Sequence, residues 1–304
     1  MKKLAPIFLF LLIPLIMTAQ EQSLSDKNYR IYSTKLGREV SLQEIAADME
    51  RYDVLFFGEE HNDSVAHYVQ HELLKMLHGQ FGSNLALSME MFDRDVQHVM
   101  NEYLQGFIRE RHFLKDARVW SNYRDYRPLV EFAREQKLDV ICANAPSRYT
   151  NLAGRKGQGE LLKLHPSVQR FFAPLPYDTA SGGYRAKLAA MMQGDSAQHM
   201  PAAMHGFDLI TAQSLWDATM AYSIAEYDRL KPKRKVLHLN GKFHSDEHFG
   251  IVTQLKKYAP HVQSLVISTA SDPSFPNVNW DFFKKFGDYI IITDPAIPKT
   301  FKDQ

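Results

Sequence analysis

The sequence has almost no cysteine, no excess of either charge and no low-complexity tract. Cys142 is the single cysteine among 304 residues, so no intramolecular disulfide can form. It lies in the mostly apolar run 138–143, which predicts a small buried side chain. Lys and Arg number 36 against 35 Asp and Glu, a formal net charge of +1. Without a basic stripe or an RNA-binding motif, nucleic acid is not an expected partner.

The one long apolar run lies at the start of the chain. Residues 4–17 are nearly all apolar, follow two lysines and precede the small residues of Thr18-Ala-Gln20. This pattern predicts a secretory signal peptide over residues 1–20, since the run is short for a membrane span. No cysteine follows it, so we do not expect a lipid anchor. Residues 21–304 are then the mature domain, exported to the periplasm or cell envelope.

Apolar runs of strand length alternate with amphipathic helical patterns along the rest of the chain. Strands are predicted at 53–57, 84–92, 138–143, 235–240, 263–268 and 289–293. Helices are predicted at 64–78, from Pro128 to about Gln136, from 207 to about 230, and at 246–258. This alternation predicts an α/β fold with a mainly parallel sheet flanked by helices. A helical insertion, about 93–136 and 147–230, is expected over the carboxyl edge of the strands.

Gly58-Glu-Glu-His61 follows the first predicted strand, which we expect to stop at Gly58. Ligands bind at the carboxyl ends of strands in open α/β sheets, so Glu59 and His61 lie where chemistry is expected. The alternative is that the same groups cap the following helix and face water. Glu90 closes the second apolar strand, where a buried acid needs a cation, a metal or a hydrogen-bonded ligand.

The same device recurs as Gly241-Lys-Phe-His244 after a later apolar strand. Asp217 lies on the apolar face of the long helix, which makes it a further candidate or a solvated acid at the helix margin. If the strands are parallel, their carboxyl ends share one edge of the sheet. We therefore expect His61, Glu90 and His244 to line one cleft, with Glu59 and Asp217 in contact range.

Three further histidines lie on the first predicted helix of this core, on the face opposite its apolar side. They are His67, His71 and His78. We expect that face to point into solvent, and the helix lacks the second histidine of a zinc-protease signature.

The joint pattern resembles the superfamily of Tiki and TraB proteins and erythromycin esterase, and more closely the ChaN-like haem-binding uptake family. The resemblance covers most of residues 40–270. It rests on Gly58-Glu-Glu-His-Asn-Asp63, Ser88-Met-Glu-Met-Phe92, Trp120 through Tyr126-Arg-Pro128, Ala143-Asn-Ala-Pro146, Leu215-Trp-Asp-Ala-Thr-Met-Ala221 and Asn240-Gly-Lys-Phe-His244. It implies an α/β core with a helical subdomain and haem handling in bacterial iron acquisition. The partners expected on this basis are haem or another small molecule, envelope components of haem uptake and a second copy of the chain.

Haem needs an apolar slot, an axial ligand and cations for its propionates. Tyr123 and Tyr126 are candidate ligands, and Arg124 and Arg127 are candidate propionate partners. The alternative is that these side chains pack the helical layer. Covalent attachment is excluded, because there is no Cys-x-x-Cys-His sequence.

Other branches of the superfamily imply hydrolysis, so whether the protein is an enzyme stays open. His61, Glu90 and His244 are candidate ligands of a divalent metal with an open position for activated water, and Glu59 is a candidate general base. Without metal, His61 paired with Glu59 or Glu90 is a candidate base. A third reading is a non-catalytic binding protein on the same fold.

Overall fold

The computed structural model of the chain describes residues 24–193 and 206–301. The signal peptide expected at 1–20 lies outside these residues and stays a prediction. None of the helices in the described ranges combines the length and the hydropathy that a membrane crossing requires.

One eight-stranded sheet forms the centre of the molecule, in the order β2-β1-β8-β7-β3-β6-β4-β5. The strands are β1 (Tyr29–Ser33), β2 (Arg38–Glu39), β3 (Val54–Glu59), β4 (Leu85–Asp93), β5 (Asp139–Asn144), β6 (Lys235–Gly241), β7 (Ser264–Ser271) and β8 (Tyr289–Thr293). Strands β3 to β8 run parallel to one another, and β1 is antiparallel to both of its neighbours, β2 and β8. The predicted α/β fold with a mainly parallel sheet is confirmed.

Helices follow most of the parallel strands. They are α1 (Leu42–Asp48), α2 (Ser64–Phe81), α3 (Gln97–Leu104), α4 (Glu110–Asp116), α5 (Tyr123–Glu135), α6 (Ser147–Lys156), α7 (Pro166–Gln169), α8 (Gly182–Gln193), α9 (Leu209–Leu230), α10 (Gly250–Tyr258) and α11 (Trp280–Phe283). Short 3₁₀ turns lie between them, including Lys242–His244 and Asp246–His248 directly after β6.

A hydrophobic layer covers each face of the sheet, so β3 is buried on both faces. Leu55 and Phe57 point into the larger core, which includes side chains of α2 and α5. Val54 and Phe56 point into the second core, against side chains of α9 and α10. A strand that is buried on both sides reads as a continuous apolar run, which is why its position was visible in the sequence.

Two boundaries differ from the prediction, and one strand was missed. Helix α5 begins at Tyr123 and carries Pro128 in its interior, although a helix start was expected at the proline. A proline there removes one backbone hydrogen bond, but burial of the helix's apolar side outweighs that loss. Strand β3 continues through Gly58 to Glu59, because both residues pair with β6. Strand β1 was missed, since its partner β8 comes from the other end of the chain.

Candidate functional site

The two Gly-x-x-His motifs meet at the carboxyl edge of the sheet, as expected. Strand β3 pairs in parallel with β6, which sets Gly58 beside Asn240 and Glu59 beside Gly241. A Cβ atom on Gly58 would lie 2.8 Å from the Cα of Lys242, and one on Gly241 would lie 2.8 Å from Nε2 of His61. Each motif glycine therefore leaves the space that the other motif fills.

The first half of the site is a buried carboxylate that holds an imidazole. Glu59 receives hydrogen bonds from Tyr126 Oη at 2.5 Å and from Gln70, and it contacts Nδ1 of His61 at 2.9 Å. Burial alone would raise the pKa of Glu59, but nearby His67 and the hydrogen bonds from His61 and Tyr126 lower it below its usual value. Glu59 is accordingly a carboxylate, and it orients the His61 ring.

His61 is the most accessible side chain of the predicted set. Its side chain is 37% exposed, and its ring meets that of Trp120 edge to face at 5.2 Å. Burial would lower the pKa of His61, but the contacts with Glu59 and Glu90 raise it above its usual value. Within the described residues we find no hydrogen bond to Nε2, so this nitrogen is open to a ligand or a proton.

The second half of the site is built around His244, which is buried. Nδ1 of His244 lies 2.6 Å from Oδ1 of Asp217, whose other oxygen accepts a hydrogen bond from Tyr184 at 2.7 Å. Nε2 of His244 lies 3.6 Å from Glu90. Burial would lower the pKa of His244, but Glu90 and Asp217 raise it to about 9.

Glu90 connects the two halves. One of its oxygens accepts a hydrogen bond from the backbone N–H of Gly241 at 2.7 Å, and the other faces His244. Its charge also contributes to the raised pKa of His61. The sequence predicted that a buried acid at this position needs a partner. One such partner is the backbone N–H of Gly241. All five predicted polar residues lie in one continuous cluster.

The predicted metal set is not supported by this arrangement. No group of three or more His, Cys, Asp or Glu side chains in the described parts of the chain is placed so that it could hold a metal ion. His61 and His244 each direct Nδ1 at a separate carboxylate, and Glu90 is committed to Gly241. These contacts organise hydrogen bonds instead of a shared coordination centre.

The tyrosines predicted as haem ligands do not reach the surface. Tyr126 is fully buried with its hydroxyl on Glu59, and Tyr123 is buried against Phe92 and Phe113. Burial raises the pKa of both phenols, which disfavours a tyrosinate. This placement favours the alternative, in which both side chains pack the helical layer, because α5 begins with them and turns them toward the core.

The two predicted propionate partners lie on the other side of α5. Arg124 is 76% exposed and donates to the carbonyl oxygen of Thr300 at 2.8 Å. Arg127 forms an ion pair with Glu110. Arg124 therefore stays close to the loop that carries His61, since the N–H of Thr300 donates to the carbonyl of Asn62.

His67 was wrongly predicted to face solvent. It is buried, its Nδ1 lies 3.2 Å from Gln70, and its Nε2 lies 3.1 Å from the carbonyl oxygen of His61. The spacing of His67 and Gln70 along α2 was the available signal, because residues three apart share a helix face. Tyr184 was missed without any such signal, since only packing brings α8 to Asp217.

The fold and site define an α/β protein whose sheet edge joins two histidine–carboxylate pairs. The chain belongs to the family described as haem-binding uptake, Tiki superfamily, ChaN, whose sequence model matches residues 45–255.

Among solved structures, the chain is similar to one described as "Cofacial heme binding to ChaN of Campylobacter jejuni". The TM-score is 0.65 at 17% identity, covering 88% of this chain and 98% of that one. This likeness shows the fold. A structure of the type III effector HopBA1 also matches, with a TM-score of 0.45 and 10% identity over 83% of this chain and 93% of that one. No curated protein matches.

Proposed function

We propose that this protein binds haem and that, after export, it serves haem acquisition at the cell envelope. The observation that carries the proposal is the hydrogen bonding of the His61 ring. Its Nδ1 is held by a buried carboxylate while Nε2 is open, which is the arrangement that protein ligands of metals use. Family membership supports haem as the group, and the apolar N-terminal run supports export.

The residues around His61 fit the rest of such a ligand. Trp120 offers an aromatic surface next to the imidazole, and Gly241 leaves the ring room to keep its position. Arg124 and Lys299 are exposed cations near the same loop and suit propionates. A bound haem would supply an iron centre that a protein nitrogen can hold, and His61, instead of the buried tyrosines, is our candidate for the residue that would hold it.

A second copy of the chain and envelope partners belong to the same proposal. His61 is 37% exposed, so a ligand that it holds would be accessible to a second copy of the chain. The related Campylobacter jejuni protein is described as binding haem cofacially, an arrangement in which two haem faces meet. A homodimer in which each copy brings one haem would bury both faces.

Haemin titration of the purified protein tests this function. We expect a saturable shift of the Soret band with a histidine-type spectrum. His61→Ala should weaken binding by about tenfold or more, because the residue that would hold the iron is lost. His98→Ala is the matched control, since His98 is an exposed histidine away from the site. An unchanged spectrum and affinity in His61→Ala would remove this assignment, and sedimentation with and without haemin tests the dimer.

A second candidate function is hydrolysis with His61 as a general base. The specific observation is the same dyad, because a histidine with Nδ1 on a carboxylate and Nε2 open is poised to take a proton from water. Hydrolysis of 4-nitrophenyl esters that disappears in His61→Ala and in Glu59→Gln would favour it. Absence of both haem binding and hydrolysis would leave a non-catalytic binding protein on this fold.

A further inference from the structure

A cavity separate from the histidine cluster lies on the far side of the loop that follows β6. It has a volume of about 300 Å³ and is lined by four phenylalanine rings, four polar or charged side chains and two aliphatic ones. Its lining includes Phe243, Phe282, Phe283, Phe286, Lys187 and Asp246. His244 of the same loop points the other way, to Asp217. The cavity is therefore separate from the histidine cluster, and it lies between two small hydrophobic clusters of the fold.

Two buried atoms of ionisable side chains in this cavity have no hydrogen-bond partner among the residues that the structure describes. They are Nζ of Lys187 and Oδ1 of Asp246, and Asp246 is almost fully buried. Burial raises the pKa of Asp246, and the charges of Lys187 and Lys242 act against that shift. Nζ of Lys187 lies 3.7 Å from the other oxygen of Asp246 and 3.6 Å from Glu247. Both distances are too long for a hydrogen bond. Buried groups of this kind are normally satisfied, so each needs a partner from water or from a ligand.

The aromatic rings define the rest of the cavity. Nζ of Lys187 lies 4.9 Å from the ring centre of Phe243 and 5.9 Å from that of Phe286. Phe282 is 63% exposed. A large apolar side chain at the surface beside a pocket usually marks a binding region. A ligand would thus have an apolar or aromatic body and a polar end next to Lys187 and Asp246.

We propose that this cavity binds an aromatic α-amino acid. The ammonium group of such a ligand supplies the donor that Asp246 lacks, and its carboxylate supplies the acceptor that Lys187 lacks. The ammonium and carboxylate groups of an α-amino acid lie close together, as do the side chains of Lys187 and Asp246. The aromatic side chain packs among Phe243, Phe282 and Phe286, and the volume is at the small end of the range for ligand pockets.

Calorimetric titration of the full chain without haem tests the proposal, with L-phenylalanine as the probe. Phenethylamine lacks the carboxylate, and 3-phenylpropionate lacks the ammonium group. We expect saturable binding of L-phenylalanine and about tenfold weaker binding of each analogue, because a charged hydrogen bond is lost in each case.

Variants assign each charge to its partner. Lys187→Met keeps the length of the side chain and should weaken L-phenylalanine and 3-phenylpropionate by about tenfold while leaving phenethylamine unchanged. Asp246→Asn should do the reverse. Lys256→Met, at an exposed lysine of α10, is the matched control. Thermal melts establish that each variant folds.

Three results would overturn the proposal. One is no saturable binding of L-phenylalanine up to about 10 mM, well beyond the affinity of a specific site. Another is equal affinity for all three probes, which would mean an apolar cavity whose charged groups are satisfied by water. The third is L-phenylalanine binding that is unchanged in both Lys187→Met and Asp246→Asn.

Discussion

The two Gly-x-x-His motifs give the same contact and opposite exposures. Both follow parallel strands, and in both the histidine directs Nδ1 at a carboxylate, at 2.9 Å for His61 and 2.6 Å for His244. The side chain of His61 is 37% exposed, whereas that of His244 is 10% exposed. A motif in sequence thus specifies the pairing of the ring, while the elements that pack above it decide whether the ring is accessible.

The covering elements explain the difference. His244 lies beneath α9, which supplies Asp217, and beneath α8, whose Tyr184 hydrogen-bonds that acid. The ring of His61 meets that of Trp120 edge to face at 5.2 Å and stays 37% exposed. The buried ring is held between two acids, so its charge stabilises the fold. The exposed ring has no hydrogen bond at Nε2 among the described residues.

The largest expected effect is the loss of the buried ring. His244→Ala leaves Asp217 and Glu90 buried without their shared cation, so we expect the free energy of unfolding to fall by about 3 to 5 kcal/mol. Urea denaturation measures it. His248→Ala is the control, because His248 is half-exposed and 3.6 Å from Asp288, and such pairs contribute about 1 kcal/mol or less. Equal losses in both variants would mean that burial does not distinguish the two motifs.

Much of this comparison was accessible from the sequence, and the rest was not. The shared edge followed from apolar runs, and the importance of Glu90 followed from the expense of burying an acid. The exposures did not follow, because they depend on contacts between distant segments. In the sequence Tyr126 is a candidate haem ligand flanked by arginines, yet α5 turns its hydroxyl onto Glu59. Burial of His67 depends on the same packing, as its ring meets that of Tyr126.

The next effect is a pH dependence that belongs to His244. Its pKa is about 9 in the folded state and near 6.5 when unfolded. A raised histidine pKa stabilises the fold fully below the unfolded value and ceases to do so as pH rises through the folded value. From pH 7 to 9, below the range in which the tyrosines of the unfolded chain ionise, we therefore expect a loss of roughly 2 kcal/mol in unfolding free energy.

Urea denaturation at several pH values, for the wild type and His244→Gln, isolates this contribution. In the variant the side chain at position 244 is neutral at every pH, so its unfolding free energy should fall less than that of the wild type across the same range. The raised pKa of His61 acts in both proteins alike. His238 does not interfere, because burial lowers its pKa to about 3 and it is neutral in both states at high pH. Parallel curves for the two proteins would assign the dependence to other groups.

The smallest effect on stability is expected at the exposed ring, where the functional effect is expected to be large. His61→Ala removes one contact of Glu59, but Tyr126 and Gln70 still donate to that carboxylate. Because the lost hydrogen bond involves a half-exposed ring, we expect a change of about 1 kcal/mol. Thermal and urea unfolding measure it on the sample used for haemin titration. A loss as large as that of His244→Ala would show that His61 is also a structural anchor, and its effect on haem could then not be assigned to a missing ligand.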